Sequence, residues 1–397
     1  MAPSSAQLSP ARTAWAIIAL ALGGFAIGTT EFAMMGLLPN IADGVHVTVP
    51  EAGHLISAYA LGVVVGAPAF AALGARLRRK QLVLGLMAFL TLANLSSYLA
   101  PDYSSLMVTR FLSGLPHGAY FGVAAVIAAS LVAPTKRGHA ISMVMMGLSV
   151  ANVLGVPLAT LIGQQLGWRE MFVLVGAIGT ATVAGIAVLV PRHKADPDAS
   201  MRGELGALKN VQTWLALLIG IVGFGGFFAV YTFITPTMTK LAGFPEGFIP
   251  VVVGIYGVGM VAGNLLGGRL ADRSVMGSIY LVMGFIAVVL VVFSLVVHVQ
   301  WAALVLTFVV GASGSMLTPA LQTRLLDVSP GAPSLASSLN HSGLNIANAL
   351  GAALGGLVIT LGWGYAAPAM VGAVLAVLGL GIALFSGRLD RRRLRTA

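Results

Sequence analysis

Glu31 stands deep in an apolar stretch running from Trp15 to Leu38, with no other acid or base for eighteen residues before it or eleven after it. A carboxylate in hydrocarbon costs about 2.5–3.5 kcal/mol on insertion scales, and chains that keep one generally use it to handle ions or protons. Apolar surroundings favour a neutral acid and a nearby cation favours a carboxylate. A balance between the two lets one group load and release a proton. The other reading is a permanently neutral acid, hydrogen-bonded to Thr30 or to a neighbouring helix.

Arg110 is the one basic residue that falls inside an apolar segment. Arg110, Gly114, His117 and Phe121 are spaced i, i+4, i+7, i+11 and share one helix face. An unpaired intramembrane arginine is costly, and Glu31 is the only intramembrane acid in the sequence. The two are expected at similar depth and in contact, directly or through water; otherwise Arg110 snorkels to the nearer interface. His117, with a reference pKa near 6.5, suits a proton relay, although a helical histidine is also a common packing residue. Glu31, Arg110 and His117 are therefore the expected proton-coupling residues.

A second polar stripe occupies residues 340–348. His341, Asn345 and Asn348 follow i, i+4, i+7 beside Asn340 in an otherwise small and apolar segment. Such a stripe avoids lipid, so it either joins helices or lines a cavity. His341 and Asn345 are expected to contact a substrate, whereas Asn348 repeats Asn152 and reads as structural. Thr30, Tyr59, Tyr120, Asn152, Tyr231, Thr232, Thr235 and Gln322 complete the candidate binding residues. Aromatic bodies with polar tips suit mixed or amphipathic ligands.

These residues need a membrane-spanning scaffold. Of 397 residues, 58% are hydrophobic and 9% charged. Soluble domains carry about 25% charged residues, which excludes a soluble globule. Twelve apolar segments can cross a bilayer as helices: about 14–38, 52–73, 81–100, 105–132, 139–165, 170–191, 212–238, 249–268, 278–298, 302–324, 334–361 and 367–386. The first is too long for the core of a cleaved signal peptide. There is no cysteine, so thiol chemistry, disulfides and cysteine-based metal sites are excluded.

The net charge of +10 is unevenly placed. With the N-terminus in the cytoplasm, all 22 lysines and arginines except Arg110, Arg169 and Lys240 fall in cytoplasmic segments. That asymmetry satisfies the positive-inside rule and implies both termini inside. It accounts for the charge through topology and anionic lipid, not nucleic acid.

The polar stretch from Pro191 to Asn210 divides the chain into six and six spans. The expected units are a bundle at 12–191, a cytoplasmic linker at 192–211, a second bundle at 212–387 and a basic tail at 388–397. Ala151-Asn152-Val-Leu-Gly155 followed by Leu166-Gly167-Trp168 recurs about 196 residues later as Ala347-Asn348-Ala-Leu-Gly351 followed by Leu361-Gly362-Trp363. This points to duplication of a six-helix unit. Parallel repeats imply a pseudo-two-fold axis along the membrane normal and a central site.

The chain resembles transporters of the major facilitator superfamily. Within it, the resemblance is to bacterial twelve-span drug:proton antiporters, in the branch of arabinose/sugar-efflux and chloramphenicol-resistance permeases. It covers residues 12–387. It rests on Thr29-Thr-Glu31-Phe-x-x-x-Gly36-Leu-Leu-Pro39, Ser57-Ala-Tyr59-Ala, Arg110-Phe-Leu-x-Gly114-x-x-His117-Gly118, Asn152-x-x-Gly155-Val-Pro157 and Gly167-Trp168-Arg169. The resemblance implies an all-α membrane protein of the major facilitator fold and transport by rocking of two halves. It also implies a monomer in the bacterial inner membrane, and a role for Arg110 in coupling or substrate contact.

Gly268-Arg-Leu-Ala-Asp272-Arg273 matches the superfamily's loop signature, and Asp272 is expected to latch the cytoplasmic seam in an outward-open state. The first-half counterpart, Gly74-Ala-Arg76-Leu-Arg78-Arg79-Lys80, lacks the acid. Gly155-Val156-Pro157 departs from the family's antiporter motif, yet Pro157 should still kink its helix. Gly268, Asp272, Arg273 and Pro157 are the expected gating residues.

The expected function is proton-coupled export of small neutral or weakly anionic drug-like molecules, with the proton as coupling ion and no other cofactor. The expected partners are a small-molecule substrate, protons and membrane lipids. The alternatives are a sugar or nucleoside exporter, or a proton-coupled importer. No acid pair, metal cluster or nucleophile–base pattern points to an enzyme.

Overall fold

Lipid offers no partner for a free backbone amide, so apolar segments of this length must close their hydrogen bonds as helices. The computed structural model describes residues 9–74, 77–133, 136–191, 210–329 and 333–396. Among them, twelve helices are long and apolar enough to cross a membrane. They are α1 (Pro10–Gly36), α2 (Val49–Ala67), α3 (Arg79–Tyr98), α4 (Tyr103–Ser130), α5 (His139–Leu166) and α6 (Glu170–Leu189), then α7 (Val211–Thr232), α8 (Glu246–Arg273), α9 (Val275–Val296), α10 (Gln300–Val328), α11 (Leu339–Thr360) and α12 (Ala367–Asp390). Their outer faces are apolar, with Leu92, Val188, Leu295 and Val305 largely exposed. A soluble protein does not tolerate so extensive a patch. Residues 192–209 of the expected linker, and Arg76, lie outside the described residues.

The repeat seen in the sequence is a repeat of packing. Helix α1 packs on α5 and α6, α2 on α4, and α3 on α6; likewise α7 packs on α11 and α12, α8 on α10, and α9 on α12. The contacts correspond atom by atom. A Cβ at Gly62 would lie 2.1 Å from the carbonyl oxygen of Phe111, and one at Gly259, a repeat later, 2.2 Å from that of Phe308. Only glycine lets these helix pairs approach so closely in lipid, where packing replaces the hydrophobic effect as the cohesive force.

The halves meet along α2–α11, α5–α8 and α4–α11. Ser57 Oγ donates to the Ala349 carbonyl (3.3 Å), and Gln164 Nε2 donates to that of Glu246 (2.9 Å). The seam is closed on the side away from the chain termini. Proline explains one further closure there. Pro39 has no N–H for the carbonyl of Met35, four residues back, so α1 breaks after Gly36 and a short helix, Leu38–Gly44, follows. Thr235 Oγ1 supplies the missing donor from the other half, 2.9 Å from the Met35 carbonyl and 3.0 Å from that of Gly36. Thr235, expected in the binding site, is here an inter-half latch.

Three further expectations are refined. Gly268, Asp272 and Arg273 belong to the last turns of α8, not to a loop. The chain passes through Ser274 alone into α9, capped by Ser274 Oγ accepting from the Gly277 N–H at 3.1 Å. Charged residues do not end a helix, so α8 extends past the apolar segment, and Asp272 and Arg273 are exposed there. The expected tail continues the last helix, which runs from Ala367 to Thr396. Arg324, assigned by sequence to a cytoplasmic segment, is buried. It donates to Gln212 Oε1 (3.1 Å) and Ser386 Oγ (3.5 Å) and pairs with Asp390, tying the terminal ends of α7, α10 and α12 together. The kink expected at Pro157 takes the form of a π-helical turn, Ala151–Gly155, immediately before it.

Two outcomes test this packing. Gly62→Ala should abolish accumulation of folded protein, since the new methyl meets backbone, whereas Gly85→Ala, which faces open space, should express like the parent; thermal unfolding in detergent reads both. Thr235→Val should loosen the closed side by on the order of 1 kcal/mol, about fivefold in the open-to-closed equilibrium. Maleimide labelling of a single cysteine introduced as Ser57→Cys into this cysteine-free chain measures that shift.

Candidate functional site

The cost of an intramembrane acid is reduced by placing it where protein, not lipid, surrounds it. Glu31 lies about one and a half turns before the break in α1, so the helix carries it into the centre of the bundle, where it is 5% exposed. His117, near the start of the second segment of α4, brings Nδ1 to 3.9 Å from Glu31 Oε2. The Tyr59 hydroxyl of α2 and His117 Nδ1 are hydrogen-bonded at 3.0 Å. Asn348 of α11 and Tyr231 of α7 face the same carboxyl from the second half.

Arg110 is fully buried, and its principal partner is not Glu31. Nη1 donates to Thr30 Oγ1 (3.0 Å) and Nη2 to the Thr30 carbonyl (3.2 Å). The guanidinium carbon sits 4.5 Å from the centre of the Tyr59 ring, a cation–π contact. No arginine or lysine among the described residues forms an ion pair with Glu31. The expected proximity of Glu31 and Arg110 is therefore present, with Thr30 as the arginine's acceptor.

Two flat surfaces border the polar cluster. His341 stacks on Phe121 (5.2 Å between centres, 1° between planes) and comes within 6.1 Å of the His117 ring, so α4 and α11 touch through three rings. Tyr231 stacks on Tyr256 (4.0 Å, 6°), and Phe32 beside Glu31 abuts Tyr231 at 5.6 Å. On the helices that carry these rings several buried polar atoms have no protein partner: the Tyr231 hydroxyl, Asn345 Oδ1, both amide atoms of Asn348, the Thr232 hydroxyl and Arg110 Nε. Asn348 stands beside Glu31 without a hydrogen bond of normal geometry. Buried groups of this kind are normally satisfied, so a cluster of them marks a place where water or ligand supplies the partner.

The structure thus gathers Glu31, Arg110, His117, Thr30, Tyr59, Tyr231, His341 and Asn345 at the seam. Other candidates lie elsewhere. The Tyr120 hydroxyl donates to the Leu20 carbonyl (2.8 Å) within the first half. Gln322 Oε1 accepts from Asn340 Nδ2 (2.7 Å) within the second. Asn152 donates to the Leu148 carbonyl (3.0 Å), and its backbone packs against Gly257 at the α5–α8 seam, where Pro157 also meets Gly254. Sequence reasoning missed Asn94, whose side chain meets Thr30, and Tyr256, hidden among apolar residues. It also read Asn348 as purely structural. Asn94 carried a signal, as a lone amide in the apolar run of α3.

Comparison with known proteins accords with this geometry. The family model described as Major Facilitator Superfamily matches residues 20–304 and 249–396. The inner membrane transport protein YdhP of Escherichia coli (strain K12) is 41% identical over 372 residues, covering 94% of this chain and 96% of that protein. The chloramphenicol resistance protein of Streptomyces lividans is 36% identical over 349 residues, covering 85% and 86%. A crystal structure of a bacterial homolog to the human lysosomal transporter Spinster, inward-facing and unoccupied, superposes with a TM-score of 0.75 at 16% identity, covering 96% of this chain and 98% of that one. A family match over most of the chain and a near full-length relative above 30% identity agree with the duplicated six-helix packing: the chain is a multi-pass bacterial inner-membrane transporter and belongs to the major facilitator superfamily.

Proposed function

We propose that the protein is a proton-coupled exporter of small neutral or weakly anionic drug-like molecules. The observation that carries this reading is the state of Glu31. It is buried at the seam between the halves, faced by groups from both, and among the described residues no arginine or lysine forms an ion pair with it. A carboxyl in an ion pair with a guanidinium resists protonation; one beside a histidine and an asparagine amide can change charge as the seam opens to one side and then the other. Arg110 supplies a fixed positive charge nearby, which disfavours dications in the site and suits neutral or weakly anionic cargo.

With the termini in the cytoplasm, as the charge asymmetry implies, the closed side is periplasmic. The cycle then runs in two strokes. Glu31 releases its proton and the site loads substrate while open to the cytoplasm. Opening of the other side exposes Glu31 to periplasmic protons, and protonation favours substrate release. Each proton moving inward supplies about 2.3 kcal/mol per 100 mV of membrane potential. In this reading Asp272 and Arg273, exposed at the end of α8 on the side of the chain termini, latch that side when it shuts. The proton is the only coupling agent required, and the protein acts as a monomer in lipid.

A sugar or nucleoside exporter is the second reading. The unpartnered Tyr231 hydroxyl and the Asn345 and Asn348 amide oxygens favour it, because they suit a hydroxyl-rich ligand. Proteoliposomes with an imposed pH gradient distinguish these, using chloramphenicol and arabinose as probes. The expected result is chloramphenicol-triggered proton flux in the parent and none in Glu31→Gln. Arabinose-triggered flux favours the second reading, and substrate flux unaffected by Glu31→Gln rejects proton coupling through this residue. Asp272→Ala should lower turnover severalfold while leaving equilibrium binding of the same probe unchanged, which turnover and binding assays on one preparation separate.

A further inference from the structure

Thr30 is the residue on which Arg110 rests, and Thr30 is itself held from a third helix. Its Oγ1 donates to Asn94 Oδ1, in α3. Asn94 Nδ2 donates to the Leu90 carbonyl (2.8 Å) one turn back, which fixes the orientation of the amide and leaves Oδ1 as the atom facing Thr30. With its proton committed to Asn94, the Thr30 hydroxyl presents only lone pairs to the guanidinium, and Arg110 Nη1 takes one of them. All three residues are buried. The chain of contacts therefore has a direction: Leu90 carbonyl, Asn94 amide, Thr30 hydroxyl, Arg110 guanidinium.

We propose that Asn94 is a positioning residue for coupling: by fixing Thr30 as an acceptor, it holds Arg110 on Thr30 and keeps the guanidinium from forming an ion pair with Glu31. The inference rests on the proton-coupled reading for its purpose, though not for its geometry. A buried guanidinium must find acceptors inside the protein. Without Asn94 the Thr30 hydroxyl turns to donate elsewhere, Nη1 loses its acceptor, and the nearest strong one on the adjoining residue is the Glu31 carboxylate. The groups that face Glu31 are then Arg110 and His117 from α4, Tyr59 from α2, Tyr231 from α7 and Asn348 from α11. Of these, only Arg110 carries a permanent charge.

Infrared pH titration of the purified protein tests this without a substrate. The protonated carboxyl band of Glu31 is isolated as the difference between the parent and Glu31→Gln. Asn94→Leu should move the midpoint of that band to more acid pH by about one unit, as expected for a carboxyl gaining a cationic partner. Thr30→Val, which removes the same acceptor from the other side, should do likewise and serves if Asn94→Leu fails to fold. Thr30→Ser keeps the hydroxyl and should restore the parental midpoint. Adding Arg110→Gln to Asn94→Leu should cancel the shift, since the effect runs through the guanidinium. A folded Asn94→Leu or Thr30→Val with an unmoved midpoint overturns the proposal, as does a shift that survives Arg110→Gln. Gradient-driven flux persisting in Glu31→Gln would instead defeat proton coupling through Glu31, and the infrared comparison still decides whether Asn94 positions Arg110.

Discussion

A guanidinium buried in a bilayer keeps its charge and must place its donors on protein atoms. Arg110 places two on Thr30, its immediate partner being the residue before Glu31 and not Glu31 itself. Much of the central cluster follows from that choice. The Tyr59 ring covers the guanidinium, its hydroxyl reaches His117, and His117 reaches Glu31. The positive charge is thereby fixed without neutralising the one acid in the membrane. Had the arginine paired with Glu31, the seam would hold a locked ion pair, whose separation in low dielectric is expensive.

The scaffold around this cluster is a duplicated unit whose two copies pack alike and function differently. Close glycine contacts recur in both halves, because helix approach in lipid depends on small residues whatever the site contains. The charged groups do not recur. Tyr59 of the first half contacts Arg110 and His117, whereas its counterpart Tyr256 donates to the Phe227 carbonyl (3.3 Å) and stacks on Tyr231. One half brings Glu31, Arg110 and His117, and the other brings His341, the Tyr231–Tyr256 stack and amides with unused hydrogen-bonding capacity. A site with that asymmetry can couple a charge change on one side to ligand contacts on the other.

Closure of the seam follows from proline chemistry. Pro39 removes the donor that the Met35 carbonyl would have had, and an unpaired carbonyl in the membrane needs another. Thr235 provides it from across the seam. A break in one helix thus becomes a contact between halves, and the same contact engages the Thr235 hydroxyl. At Pro157 the disruption is absorbed differently, as a π-helical turn at the α5–α8 seam.

The sequence by itself determined the number of spans, the duplication and the identity of the central charged residues. Apolar length, the repeat of Asn152 at Asn348 and the isolation of Glu31 and Arg110 in hydrocarbon are all one-dimensional signals. It also placed Arg110 and His117 on one face, since helical periodicity needs no tertiary information. Which acceptor Arg110 chose was not legible, because Thr30 and Glu31 are adjacent in sequence and differ only in how α1 is rotated against α4. The role of Asn94 was not legible for a related reason: a lone amide in an apolar span is a visible signal, but it acquires meaning only when a hydroxyl from another helix meets it. Thr235, Tyr120 and Gln322 had the right chemistry for a binding site, and only the packing of helices turned them toward other partners. The burial of Arg324 was likewise not legible, because Gln212, Ser386 and Asp390 converge on it from two other helices. Composition and periodicity fix what a helix is and which face it shows; the pairing of polar groups across helices depends on relative rotation and depth, which tertiary packing alone sets.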